Sequence, residues 1–186
     1  MNSKILKNNG YMKEKIKLKI FAYKNKFKGP NFKIFCDHIL LDEIINYQEN
    51  LYEKSFDLDL EQCLHSVKIE HFNKNPKDTI IESKQDVAIK LENLSFNGIK
   101  CSIKDLHENY FHVTNWRYKL ESYKIKNNLY FGYNGYYEYK FETPSIKYIL
   151  KKFKDYNKET FSVEPFDIDE DSFILNLETH IKNENL

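Results

Sequence analysis

Two short groups of aromatic and polar residues have the chemistry of a ligand-binding surface. Trp116, Arg117 and Tyr118 lie together in a long connection that has no clear helical or strand period, and such segments in compact domains are often functional. Tyr133 and Asn134 lie at a Tyr-Asn-Gly sequence further along the chain. Aromatic rings pack against the C–H face of a sugar, while Asn and Asp side chains bond its hydroxyls. Because Trp, Tyr and Arg are also enriched in protein interfaces, the pattern predicts binding of a glycan or of a protein.

A pair of carboxylates has the spacing of a candidate calcium site. Asp78 and Asp86 flank a short segment near the ends of two predicted strands, and Glu82 lies between them. Oxygen ligands that converge from neighbouring loops suit Ca²⁺. The alternative, which we favour, is that Asp78 caps a turn and Asp86 ends a strand. Calcium is therefore the one cofactor that the sequence brings into consideration.

Signatures of catalysis do not occur in the sequence. The nucleophile-elbow, P-loop, dinucleotide-binding, zinc-protease and EF-hand patterns are all absent. The three cysteines have no paired spacing, and His107 and His112 have no nearby cysteine with which to form a zinc site. Members of a catalytic triad can lie far apart in a sequence, but nothing indicates a serine or cysteine nucleophile. We therefore predict that the protein is not an enzyme.

Charge is distributed unevenly along the 186 residues, although the net charge is only +1. The first 33 residues contain ten lysines and one glutamate, whereas residues 159–186 contain eight acidic residues and one lysine. The overall balance gives no reason to expect nucleic acid as a partner, and alternation within the basic start favours a solvated strand face over a phosphate-binding arm. No stretch approaches the roughly 20 apolar residues of a membrane span. Without a secretion signal, we expect synthesis in a reducing cytoplasm and no membrane partner.

Alternation of apolar and polar residues dominates the chain and predicts strands. At the basic start, Ile16, Leu18 and Ile20 alternate with lysines, and a row of exposed lysines suits the edge of a sheet. The same period recurs around residues 32–36, 56–60, 67–69, 87–91 and 137–141. Many short strands separated by turns predict an all-β fold, an antiparallel β-sandwich of the jelly-roll kind.

The segments between the predicted strands fall into turns, one loop and one helix. Asn97–Gly98 is a strong hairpin signal, and Tyr133–Gly135 is interpreted as a second hairpin-like turn. The connection over roughly residues 105–128 has no clear period. A helix of about residues 144–156 is predicted, with Thr143 as its N-cap and a proline at its first position. We therefore expect a β-sandwich domain over residues 1–156 and an acidic extension over 157–186.

The alternation also assigns the tyrosine-rich segment that precedes this helix. Tyr137, Tyr139 and Phe141 fall on one face of a strand, and Tyr136 falls on the other. Tyrosine hydroxyls tolerate burial only with hydrogen-bond partners. We therefore expect these rings to form a layer of the core, with the tyrosine hydroxyls at a solvated boundary.

Two sets of segments resemble known families. The opening IKLKIFAYKNKFKGPNFKIFCDHILLDE is similar to the start of small calcium-dependent xylan-binding modules, in which a strand, a Gly-Pro turn and a second strand begin a β-sandwich. The segments IEHFNKNPKDTIIE, DVAIKLENLSFNGI and NNLYFGYNGYYEYKFETPSIKYIL resemble uncharacterised proteins of tailed, T4-like marine bacteriophages. The resemblance implies a β-sandwich and a viral setting. The calcium ligands of the xylan-binding modules have no positions that match them in this chain.

The combined prediction is a non-enzymatic phage accessory or virion protein with a carbohydrate-binding-like fold. It would bind a glycan or a neighbouring phage structural protein. The alternative is a purely structural assembly protein whose basic and acidic ends pair between subunits of a homo-oligomer. A glycan-active enzyme is a minor alternative that needs two carboxylates facing each other across an open cleft. The expected location is the host cytoplasm during synthesis, with the virion as a further possible location.

Overall fold

The computed structural model describes residues 10–80, 85–115 and 123–160, and within these ranges the chain forms two β-sheets and two α-helices. The predicted site residues Trp116, Arg117 and Tyr118 lie outside the described residues, as does the acidic stretch from residue 161 onward. The elements are β1 (Tyr11–Tyr23), β2 (Asn31–Cys36), β3 (Ile39–Ile44), β4 (Leu51–Glu61), β5 (Leu64–Phe72), β6 (Ala88–Phe96), β7 (Ile99–Lys100), α1 (Ile103–Glu108), β8 (Tyr110–Asn115), β9 (Tyr123–Lys126), β10 (Tyr130–Phe131), β11 (Asn134–Glu142) and α2 (Ser145–Thr160).

The strands form an antiparallel β-sandwich, as the alternation predicts. The five-stranded sheet has the order β10–β6–β1–β4, with β7 also paired to β6, and the six-stranded sheet has the order β3–β2–β5–β11–β8–β9. Strand β1 is paired on both sides, so the expectation that its lysines mark a sheet edge is wrong. The register explains how lysines are accommodated inside a sheet, because Lys13 and Lys15 lie opposite Asp59 and Asp57 of β4 and opposite charges on neighbouring strands stabilise the pair.

The core lies between the two sheets and is rich in aromatic rings. Phe96 of β6 packs against Phe141 of β11 with their ring centroids 4.4 Å apart. Tyr137, Tyr139 and Phe141 are 0% exposed, which confirms the predicted core layer. The expected solvated boundary is wrong, because the hydroxyl of Tyr137 donates to the carbonyl of Leu106 and that of Tyr139 to a carboxylate, both on α1.

The connection over residues 105–128 is not the irregular loop that we expected. It contains the end of α1, together with β8 and β9, which extend the six-stranded sheet. In β8, Phe111 and Val113 face the core while His112 is partly exposed, but this alternation is too short to stand out in the sequence. The signal for α1 is the side chain of Ser102, which accepts a hydrogen bond from the backbone N–H of Asp105 and caps the helix.

The two predicted turns have different outcomes. Asn97 and Gly98 have positive φ angles of 50° and 84° and join β6 to β7, as the hairpin signal predicts. The segment Tyr133–Gly135 is not a hairpin turn, because β10 and β11 belong to different sheets. Gly135 is needed inside β11, since a Cβ atom there would lie 2.2 Å from the carbonyl oxygen of His112.

Helix α2 begins one residue later than predicted and without the predicted cap. The hydroxyl of Thr143 contacts the turn between β4 and β5, where it accepts from the N–H of Cys63 and donates to the carbonyl of Glu61.

The chain divides into two compact units, Met1–Leu150 and Lys151–Leu186, and the predicted bounds of 1–156 and 157–186 stay a prediction. Among the described residues, no helix combines the length and apolar character needed to cross a membrane.

Candidate functional site

A groove on the outer face of the five-stranded sheet has the volume of a small-molecule site. Its cavity volume is about 530 Å³, which is within the range of small-molecule sites. Strands β1, β4, β6 and β7 form its floor, and α1 contributes apolar side chains to its wall. The residues that line it, called the outer groove below, are Lys17, Lys19, Glu53, Glu92, Asn93, Ser95, Gly98, Lys100, Cys101, Ile103 and Leu106.

The strand register brings the polar residues of the groove together. Lys19 of β1 lies opposite Glu53 of β4 on one side and opposite Asn93 of β6 on the other. A β-bulge in β6 follows, since Ile20 pairs with Leu91 and leaves Glu92 as the extra residue. A bulge re-aims neighbouring side chains, and here Glu92 and Asn93 both line the groove.

The two carboxylates of the groove are ion-paired with lysines. The ammonium group of Lys17 lies 2.5 Å from a carboxylate oxygen of Glu53, and that of Lys90 lies 2.8 Å from Glu92. The hydrogen bond and the charge of Lys17 hold the pKa of Glu53 below its ordinary value. The groove therefore presents ammonium, carboxylate and amide groups side by side, on strands rather than on loops.

Aromatic side chains continue the same face of the sheet beyond the groove. Phe21 of β1 lies opposite Lys90 of β6, and Lys90 lies opposite Tyr130 of β10, so all three point outward. The ring centroids of Phe21 and Tyr23 are 4.9 Å apart, and those of Tyr23 and Tyr130 are 5.3 Å apart. Each of these three rings is half-buried. We call Phe21, Tyr23 and Tyr130 the aromatic cluster.

The carboxylate of Asp86 is fully engaged with protein donors. One oxygen accepts from the ammonium group of Lys74 at 2.5 Å, the hydroxyl of Thr79 at 2.7 Å and the N–H of Val87 at 2.9 Å. The other oxygen accepts from the hydroxyl of Tyr130 at 2.7 Å. Burial raises the pKa of Asp86, but these hydrogen bonds and the charge of Lys74 outweigh it and the pKa is lowered.

Asp78 is paired in a similar way with a second lysine. Its side chain accepts from the ammonium group of Lys28 at 2.7 Å and from the backbone N–H of Asn75 at 2.8 Å, which is the turn-capping role that we favoured. A calcium ion would have to displace Lys28 here and Lys74 from Asp86. The two carboxylates therefore do not fit a calcium site as they are arranged. In residues 10–80, 85–115 and 123–160, no three His, Cys, Asp or Glu side chains are grouped to hold a metal ion.

The two described residues of the predicted binding surface lie away from the outer groove, at the start of β11. The side-chain amide of Asn134 accepts from the backbone N–H of Lys74 and donates to its carbonyl, both at 2.8 Å. This amide therefore fastens a loop to the sheet. Tyr133 is partly buried and packs against the hydrophobic core.

The residues of the outer groove were not predicted as a site. Their signal is present in part, because the alternation of the basic start assigns Lys17, Lys19 and Phe21 to the solvent face of a strand. What the alternation does not give is the neighbour of each strand. Glu53 and Asn93 are brought beside Lys19 only by the pairing of β4 and β6 with β1.

Comparisons with known proteins give a distant structural likeness. No family model matches the chain, and no curated protein matches it. One similar solved structure is the selenomethionine form of vCBM60, from work on two families of calcium-dependent carbohydrate-binding modules, with a TM-score of 0.45, 10% identity and coverage of 68% of this chain and 89% of that chain. Another is vCBM60 in complex with galactobiose, with a TM-score of 0.41, 8% identity and coverage of 67% and 96%. Because both TM-scores are below 0.5, binding is inferred below from this chain's own residues.

Proposed function

We propose that the protein is a carbohydrate-binding β-sandwich and that the outer groove, together with the aromatic cluster, holds the sugar chain. The observation that supports this proposal is the continuity of the two features on one face of the five-stranded sheet. Along β1, Lys17 and Lys19 line the groove, and Phe21 and Tyr23 follow at the same two-residue spacing. A ligand that runs along β1 would contact polar groups first and aromatic rings next.

A sugar chain has the chemistry that this face can recognise. Its hydroxyls both donate and accept hydrogen bonds, so they suit a lining in which Lys19 donates, Glu53 accepts and Asn93 does both. Its C–H faces are apolar and pack against aromatic rings. A purely apolar ligand would leave the ammonium and carboxylate groups of the groove without hydration, which is costly.

The state of the carboxylates supports binding rather than hydrolysis. Glu53 and Glu92 lie on strands on either side of β1 and both line the groove, as a pair of glycosidase carboxylates would. A glycosidase needs one of the two as a general acid with a raised pKa. Glu53 has a lowered pKa because of Lys17, and Glu92 is ion-paired with Lys90. The proposed role is therefore non-catalytic. We further propose a role as a phage accessory or virion protein, which is supported by the sequence resemblance alone.

A glycan array with the full-length protein, in buffer with Ca²⁺ and in excess chelator, tests the proposal. We expect a restricted set of oligosaccharides to bind equally in both buffers, because Lys28 and Lys74 occupy the carboxylates that calcium would need. For a binding oligosaccharide, Phe21→Ala and Asn93→Ala should each weaken the affinity about tenfold, which corresponds to about 1.4 kcal/mol.

The matched control is Tyr136→Ala, which removes a half-buried ring from the outer face of the other sheet. This variant should bind the same oligosaccharide with unchanged affinity. Failure of every glycan to bind would contradict the proposed function. Binding that is weakened by Tyr136→Ala and not by Phe21→Ala would move the site to the six-stranded sheet.

A further inference from the structure

The turn between β4 and β5 carries a cysteine beside a histidine. The sulfur of Cys63 lies 3.4 Å from Nε2 of His65. Cys63 is exposed, whereas the other two cysteines of the chain, Cys36 and Cys101, are buried. A reagent in solution would therefore meet one thiol, and that thiol has an imidazole next to it.

A carboxylate holds the imidazole in place from its other side. Oδ2 of Asp37 lies 2.8 Å from Nδ1 of His65, and Oδ1 of Asp37 accepts from the backbone N–H of Ser66 at 2.8 Å. The ring of His65 is only 7% exposed and packs near the ring of Phe141. The carboxylate therefore holds the imidazole beside the thiol, which is an arrangement that activates a cysteine when the ring is charged.

Both ring nitrogens of His65 face acceptors. Nδ1 faces the carboxylate of Asp37, and Nε2 lies 2.7 Å from the carbonyl oxygen of Glu61, which can only accept. Burial lowers the pKa of His65, but the hydrogen bonds to Asp37 and Glu61 and the charges of Asp37 and Glu14 outweigh it and the pKa is raised. A protonated imidazole beside a thiol favours the thiolate, which is the nucleophilic form.

The backbone of Cys63 is fixed at both of its polar groups. Its N–H donates to the carbonyl of Glu61 at 2.9 Å and to the hydroxyl of Thr143 at 3.0 Å, and its carbonyl accepts from the N–H of Thr143 at 3.1 Å. The N–H is therefore committed and does not serve as an oxyanion donor, which acyl transfer would require. Thiol–disulfide exchange needs no such donor.

We propose that Cys63 is a reactive thiol that forms mixed disulfides with small disulfides, and that His65 and Asp37 are its positioning residues. The thiolate attacks one sulfur of a disulfide RSSR, the S–S bond breaks, and a new bond joins the sulfur of Cys63 to SR. The other half leaves as RS⁻ and takes a proton from solvent. The total number of disulfide bonds is unchanged, so the step requires no further oxidant.

Labelling of the full-length protein tests the proposal through a pH profile. The rate with iodoacetamide, a neutral probe of the thiolate, is measured at pH 6 and pH 8 for the wild type, His65→Gln and Asp37→Asn. We expect the wild-type rate to depend less on pH than the rate of His65→Gln, with a fall on going from pH 8 to pH 6 that is at least about fivefold smaller. In His65→Gln it should fall roughly 80-fold on going to pH 6, as for a free thiol with a pKa of about 8.5. Asp37→Asn should lie between the two.

Oxidised glutathione provides the second readout, with mass spectrometry to locate the adduct. The wild type should gain one glutathione at Cys63, and Cys63→Ser should gain none, because Cys36 and Cys101 are buried. If His65→Gln unfolds, as seen by circular dichroism, the folded Asp37→Asn variant decides the comparison. Identical pH profiles in the wild type and the folded variants, or a glutathione adduct on Cys36 or Cys101, would overturn the proposal.

Discussion

His71 is an imidazole inside the hydrophobic core. Its side chain is 0% exposed, Nδ1 donates to the carbonyl of Tyr133 at 3.0 Å, and Nε2 has no partner among the described residues. Burial lowers the pKa of His71 to about 4, because a charged ring would lose its hydration, and the carbonyl of Tyr133 offsets this only in part. The folded state therefore favours the neutral form of His71.

Acid should destabilise the protein through this residue. The unfolded chain binds the proton near pH 6.5 and the folded chain near pH 4, so the contribution to stability is complete above about pH 6.5 and is lost as the pH falls to 4. The shift corresponds to about 3 kcal/mol. Urea unfolding between pH 4 and 7 should show a smaller loss in His71→Gln, whose amide can still donate to Tyr133, than in the wild type.

The difference between the two proteins isolates His71. His65 has a raised pKa, so its contribution has the opposite sign and is lost as the pH rises, but it is present in both proteins and cancels. Replacement of the exposed His38 by Gln is the matched control for loss of an imidazole. Equal pH dependence in His71→Gln and the wild type would show that another group senses the acid.

Three elements are joined by one buried carboxylate on β1. Glu14 is 2% exposed. One of its oxygens accepts from the backbone N–H of Ser145 at 2.9 Å, which satisfies the first turn of α2. The other accepts from the side-chain amide of Asn97 in the β6–β7 turn at 2.7 Å and from the hydroxyl of Ser145. Glu14 thus caps the first turn of α2, which is the role that was predicted for Thr143. The hydroxyl of Thr143 is bonded to the β4–β5 turn instead.

Glu14→Ala should therefore lower the free energy of unfolding by about 3 kcal/mol, since it leaves the backbone N–H and the hydroxyl of the fully buried Ser145 without their acceptor. The neighbouring variant Lys15→Ala removes a side chain from the solvent face of the same strand and should change stability by no more than about 0.5 kcal/mol. Urea titration followed by tyrosine fluorescence measures both. A Glu14→Ala variant as stable as Lys15→Ala would mean that water replaces the carboxylate at no cost.

At the scale of the whole molecule, the sequence predicts the fold class better than the site. Alternation is local, so it assigns Tyr137 and Tyr139 to the core and Lys17 to the surface without any knowledge of neighbouring strands. The order of strands is set by pairings between distant segments, and for that reason the interior position of β1 and the sheet change at Tyr133 were not predicted. The outer groove and the contact of His65 with Asp37 depend on the same distant pairings.

Positive and negative charge are concentrated in different parts of the chain. Residues 159–186 carry −7, and because the whole chain carries +1, residues 1–158 carry +1 − (−7) = +8. This net charge already includes the carboxylates of β4 that lie opposite Lys13, Lys15 and Lys19. The excess positive charge can attract the acidic stretch of a second copy, with a strength that depends on salt because exposed charges are screened.

Deletion of residues 159–186 should leave a folded monomer, because every strand of the two sheets in the described part of the chain ends by Glu142. The deletion should weaken self-association, and added salt should weaken the association of the intact protein, since complementary charge mainly sets orientation and the rate of encounter. Sedimentation velocity at low and high NaCl concentration, with circular dichroism as the control for folding, measures both effects. A truncated chain that is unfolded would place the acidic stretch in the fold itself. Association that is unchanged by truncation and by salt would leave the acidic stretch with a role in solubility and none in assembly.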